Sequence, residues 1–329
     1  MQALGPRSLK GIWSPLLLPV DAHEAIDFDR LGENLAAVLR TGVNGVYTNG
    51  TAGEFHTLDE REYDRLHELV ADRCTAAGVP YQLGASHPSG QISLDRIRRA
   101  AALRPGAVQV VLPDWLPLHP TEVLTALTRM AEVADGVPLV LYNPPYAKTQ
   151  LTPRLLTRIA EEVPQVIGVK VPGVEVAEGL TERLAVFVAG HTLATACGKG
   201  AAGSYSNVAC MSPAGAVRWY ERTRTDPAGA REVEGRLRGF LDAYIAPLAA
   251  DGYSDPALDK TLCAVGGWAS VGTRVRWPHR SVPESAIPAL REAAWEAVPD
   301  LLTDPAGSVD GIKRNRAASG PAGSARGGA

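Results

Sequence analysis

A chain of 329 residues that is 45% hydrophobic and 21% charged can bury a large core, and it fits one big α/β domain with an appendage or two modest domains. Its formal net charge is −3, with acids and bases interleaved, so it has no basic stripe for nucleic acid and a small-molecule partner is expected. No apolar run approaches the roughly 18 residues of a membrane span. No cationic leader precedes the first apolar run, and Cys74, Cys197, Cys210 and Cys263 form no CxxC pair, which points to reduced thiols in a cytoplasm.

From Lys10 to about Val217, short β-rich runs alternate with longer amphipathic stretches, the pattern of βα units and a parallel sheet. The runs are Gly11 to Leu18, Gly45 to Asn49, Tyr81 to Ala85, Val108 to Leu112, Pro138 to Asn143, Val166 to Val171, Leu184 to Ala189 and Ala201 to Ser206. Eight of them suit a closed (β/α)₈ TIM barrel over residues 9–217. A doubly wound sheet is the competing architecture, weakened by Ser14-Pro15 where a GxGxxG turn would follow the first strand. Helix starts are readable at Asp59 with Glu62, at Thr121, and at Thr152-Pro153. Beyond the eighth run, Val217 to Leu248 and Ser281 to Leu302 read as helices without strands, a C-terminal helical extension over 218–302. Residues 303–329, rich in Gly, Ala and Ser and including the basic stretch Lys313 to Arg316, read as a disordered tail.

Active sites of such barrels lie just past the C-terminal ends of the strands. Lys170 closes the sixth run, where a buried amine is costly unless it pairs or loses its charge, so it is a candidate nucleophile as well as a candidate solvated lysine. Tyr142 closes the fifth run, one unit earlier, so the two would share a rim. After the second run comes Gly50-Thr51-Ala52-Gly53-Glu54, a tight turn whose exposed amides suit a carboxylate. His56, His87, Ser204, Tyr205 and Asn207 are polar residues near strand ends that could set specificity. No HExxH or paired Cys/His spacing appears, so neither a metal nor another cofactor is indicated.

With GTAGE at 50–54, YNPP at 142–145 and GVK at 168–170 in this order, the chain resembles the dihydrodipicolinate synthase / N-acetylneuraminate lyase family over roughly Leu9 to Leu302. The resemblance implies a Schiff-base lyase in which Lys170 forms an imine with a 2-oxo acid such as pyruvate. It implies that Tyr142 relays protons and that Thr51 with neighbouring amides holds the carboxylate. It also implies a homo-oligomer, expected to be a tetramer, with Trp115 in the loop that crosses a subunit boundary.

Three departures bear on the substrate. Ala52 replaces a hydroxyl of the family's turn, Trp115 stands in the loop that carries the synthase's partner-subunit tyrosine, and Ala147 replaces the synthase's arginine. Efficient dihydrodipicolinate synthesis is therefore not expected. The leading expectation is an aldolase-type lyase on a 2-oxo acid. A hydro-lyase on a sugar-derived 2-oxo acid and a non-catalytic 2-oxo-acid binder are the alternatives.

Overall fold

In the computed structural model, which describes residues 2–302, the eight runs become eight parallel strands in chain order, and β8 pairs back onto β1 to close the barrel. The strands are β1 (Gly11–Pro15), β2 (Gly45–Tyr47), β3 (Tyr81–Gly84), β4 (Ala107–Val110), β5 (Leu139–Tyr142), β6 (Val166–Lys170), β7 (Ala185–Ala189) and β8 (Gly203–Tyr205). Alternation along each strand sorts the side chains into two layers. Trp13, Tyr47, Val140, Ile167, Phe187 and Tyr205 fill the barrel, while Val108, Leu141 and Val169 face the surrounding helices. Gly168 is required inside this packing, because a Cβ there would stand 2.8 Å from the Leu9 side chain and 3.0 Å from the Ala185 carbonyl.

Helices α1 (Phe28–Leu39), α2 (Glu60–Ala77), α3 (Gly90–Ala102), α4 (Pro120–Val133) and α5 (Pro153–Glu162) follow the first five strands. The helix start at Asp59 is a complete capping box with Glu62, and Thr152 caps α5. The expected cap of α4 at Thr121 is instead His119. Pro120 takes the first helical position and Glu122 the third, which moves the capping box two residues earlier. A 3₁₀ turn (Val174–Ala177) stands between β6 and β7, and only the short α6 (Leu193–Cys197) lies between β7 and β8.

The remaining helices are α7 (Asn207–Met211), α8 (Pro213–Thr225), α9 (Pro227–Phe240), α10 (Ala246–Ala250), α11 (Asp255–Gly266), α12 (Ile287–Ala297) and α13 (Pro299–Leu302). The expected boundary at 217/218 thus falls inside α8. Asp226-Pro227 ends α8 and starts α9, with the Asp226 carboxylate accepting from the Gly229 amide. A π-helical turn (Leu241–Ile245) links α9 to α10. No helix among the described residues is long and apolar enough to cross a membrane. Residues 303–329 lie outside the described residues, Lys313 to Arg316 among them.

Candidate active site

β5 and β6 pair so that Tyr142 and Lys170 are direct partners in register, and both side chains reach the C-terminal rim of the barrel. There they line a cavity of 610 Å³. The Lys170 ammonium nitrogen stands 4.4 Å from the centre of the Tyr142 ring and closes no ion pair among the described residues. Burial pushes its pKa below the ordinary lysine value, against the opposing pull of Asp259. A desolvated amine is the form that attacks a carbonyl.

The GTAGE segment folds as a 3₁₀ turn over Thr51–Gly53, closed by bonds from the Gly53 amide to the Gly50 carbonyl and from the Glu54 amide to the Thr51 carbonyl, each 3.0 Å. Thr51 and Ala52 line the cavity at the start of this turn, where amide groups lack helical partners. Gly50 and Gly53 flank it, and a Cβ at Gly50 would stand 2.8 Å from the Tyr47 ring.

The Thr51 hydroxyl lies 3.5 Å from the Tyr142 hydroxyl and 2.8 Å from that of Tyr146. Ala52 offers no hydroxyl at this turn, and the hydroxyl within reach of Thr51 on the outer side is that of Tyr146 from the same chain. Burial raises the pKa of the Tyr142 phenol. Tyr146 was visible in the sequence as the aromatic residue following YNPP, but nothing in its spacing says that the loop folds back onto Thr51. The fold-back comes from Asn143, which donates to the Thr149 carbonyl at 2.8 Å and accepts from the Leu151 amide at 3.1 Å.

Of the other candidates, Tyr205 lines the cavity floor, with its hydroxyl donating to Gln82 at 2.7 Å, and Asn207 lines it beside His191. Ser204 lies outside the lining, because strand alternation turns it to the other side of β8 from Tyr205. His56 also lies outside; it is exposed and pairs through Nε2 with His279 at 3.1 Å. His87 accepts from the Ser89 amide at 2.9 Å and so shapes the turn into α3 rather than the cavity. Trp115 is 80% exposed and shares no wall with Lys170. Its carbonyl accepts from Lys148, whose ammonium also sits 5.0 Å from the indole centre.

The extension completes the enclosure, which the strand pattern alone did not foretell. Arg238, Asp242 and Ile245 reach the cavity from α9 and the π turn, and Asp255 and Asp259 from α11. Burial and the neighbouring Asp255 push the Asp259 carboxyl up to about 7, with Lys170 and Cys210 pulling the other way. α11 is fastened to the catalytic-side turn by a fully buried ion pair, in which Lys260 meets Glu54 at 2.5 Å. The second Glu54 oxygen accepts from the Arg276 amide at 3.1 Å, and the Arg276 guanidinium grips Glu62 at 2.5 and 2.6 Å. Glu54, held by Lys260 and the Arg276 amide, stands in the left-handed region at φ 49°, sparsely populated for a residue with a side chain.

Comparison with known proteins agrees with the fold. An uncharacterised DapA-like lyase of Halobacterium salinarum is 31% identical over 248 residues, 71% of this chain and 81% of that protein. In fold, the chain is similar to the Ruminococcus gnavus sialic acid aldolase catalytic lysine mutant, with a TM-score of 0.78 and 18% identity over 92% of this chain and 98% of that one. It is likewise similar to a prophage protein of the dihydrodipicolinic acid synthase family from E. coli K12 in complex with pyruvate. That match has a TM-score of 0.76 and 18% identity over 88% of this chain and 98% of that one. The model of the Dihydrodipicolinate synthetase family matches residues 8–295, and the chain therefore belongs to that family, whose members are lyases.

Proposed function

We propose that this protein is a class I lyase that binds a 2-oxo acid as an imine on Lys170 and makes or breaks a C–C bond beside it. The observation that carries the reading is the desolvated Lys170 amine beside the Tyr142 phenol in the wall of the 610 Å³ cavity. The neutral amine attacks the substrate's C2 carbonyl, with the carboxylate against Thr51 and the amides of Thr51 and Ala52. Tyr142 returns a proton to the carbinolamine oxygen, which leaves as water. Thr51 and Tyr146 extend the hydroxyl chain outward, and Tyr146 is 58% exposed, so protons have a route to solvent. The protonated imine then draws electrons from the neighbouring bond.

Dihydrodipicolinate synthesis remains outside the proposal. Ala147 offers no cation beside YNPP, and Lys148 is turned onto Trp115. A homo-tetramer belongs to the reading as well, since Trp115 and the 68%-exposed Leu116 form an apolar tip that a second copy would cover. Light scattering should give about four times the 34.8 kDa chain mass; a monomer contradicts that part. A panel of 2-oxo acids with product analysis tests the chemistry. Release of pyruvate with an aldehyde supports the lyase, a dehydrated oxo acid shifts the reading to a hydro-lyase, and turnover of none shifts it to a binder.

A further inference from the structure

Helix α11 meets the cavity with a single face. Asp255, Leu258, Asp259 and Leu262 fall at i, i+3, i+4 and i+7 and all line it, while Ala257, Lys260, Thr261 and Cys263 are buried on the other sides. That orientation is locked from the other faces of the helix. Lys260 makes the buried pair with Glu54, and Gly266 sits so close to α7 that a Cβ would stand 1.6 Å from the Met211 carbonyl.

We propose that Asp259 is the catalytic acid–base group for the substrate's own hydroxyl, a task separate from imine formation at Tyr142. The inference rests on the Schiff-base reading above. In the cleavage direction, the Asp259 carboxylate accepts the proton of the hydroxyl on C4, counting the carboxyl carbon as C1. C4 becomes a carbonyl and the C3–C4 bond breaks. Its electron pair forms the C2–C3 double bond of the enamine as the iminium nitrogen is neutralised. Addition to an aldehyde runs the same steps in reverse.

The charged and titratable surroundings set the pH response. Lys170 comes from β6, Cys210 from α7 and Asp255 from α11. Tyr47, Tyr142 and Tyr205 come from the strand ends, His191 follows β7, and Arg238 and Asp242 come from α9 and the π turn. Lys170 opposes protonation of Asp259, Asp255 favours it, and burial outweighs both, so the carboxyl titrates at about 7. Cleavage should therefore rise with pH through neutrality as the base form appears.

The test compares wild type, Asp259→Asn, Asp255→Asn and Tyr142→Phe in two assays. One is borohydride trapping of pyruvate, which has no C4 hydroxyl; the other is cleavage of 4-hydroxy-2-oxopentanoate and 2-keto-3-deoxygluconate. Asp259→Asn should still form the pyruvate adduct, at least as fast as wild type because the carboxylate no longer holds the Lys170 pKa up, and a melting temperature near wild type shows that it folds. It should lose about 10²- to 10⁴-fold in cleavage together with the limb near pH 7, whereas Tyr142→Phe should slow trapping itself. Asp255→Asn should move the limb to lower pH by removing a like charge. The proposal is overturned if Asp259→Asn cleaves within threefold of wild type or keeps the limb, or if a wild type that traps pyruvate cleaves neither probe. Absence of any adduct in the wild type contradicts the Schiff-base reading instead.

Discussion

The rim formed by β5 and β6 and the wall formed by α9 to α11 enclose one cavity but are held in place by different physics. At the rim, Tyr142 and Lys170 are fixed by the strand register, and their neighbours are apolar residues buried on both faces of the strands. Along the helical wall, apolar residues such as Val233, Leu237, Phe240 and Val265 are also buried, but buried polar anchors join them, chiefly Lys260 with Glu54 and, past α11, Arg276 with Glu62. A reactive amine gains from a rigid apolar setting, which lowers its pKa without adding a partner. A wall that selects substrates can change with a few residues if its anchors remain. The contrast separates the Lys170 and Tyr142 pair, placed by the sheet, from the carboxylates Asp255 and Asp259, placed by the extension.

The sharpest way to break the comparison is at the rim. Tyr142→Phe removes only a hydroxyl, so it should leave the melting temperature near wild type while turnover drops about 10²- to 10⁴-fold; a variant within twofold in turnover would reduce Tyr142 to packing. The next effect is at the wall. Lys260→Ala leaves the Glu54 carboxylate buried without its cation, a loss of about 3–5 kcal/mol for one broken buried pair. Hydrogen exchange should then speed up in α11 and the Thr51–Gly53 turn before β5 and β6. Uniform loosening of all four would show that wall and rim are one cooperative unit. Replacing both partners, as in Glu54→Gln with Lys260→Met, should recover much of the stability, because no unpaired charge remains. The smallest effect is expected at Tyr146→Phe. Its hydroxyl is at the solvent end of the relay, where water can substitute, so turnover should fall by about tenfold or less with unchanged pyruvate affinity. A loss matching that of Tyr142→Phe would place Tyr146 beside the reacting atoms.

The same contrast explains what could be read from the sequence. Strands buried on both faces are near-continuous apolar runs, so all eight were visible, as were the polar residues that close two of them, Tyr142 and Lys170. α11 lies between the two helical stretches expected at 217–248 and 281–302, and its apolar residues spread around the helix because it is packed between α7 and the Thr51 turn. It therefore lacks a simple amphipathic stripe. The π turn at Leu241–Ile245 has no sequence signature, and Leu241, Asp242 and Ile245 within it line the cavity. His56 and His87 stand near strand ends in the sequence. The loops that hold them turn away from the cavity, and strand spacing does not encode a loop's direction.

The central claim is that Lys170 is the imine-forming residue, and peptide mass mapping after borohydride reduction in the presence of pyruvate tests it most directly. The account expects one irreversible adduct on the peptide containing Lys170 and none on Lys170→Ala. Lys148 and Lys199 should stay unmodified, since the first donates to the Trp115 carbonyl and the second pairs with Glu175 on the exposed surface. An adduct on either of those lysines, or an unmodified protein with every 2-oxo acid tried, would contradict it.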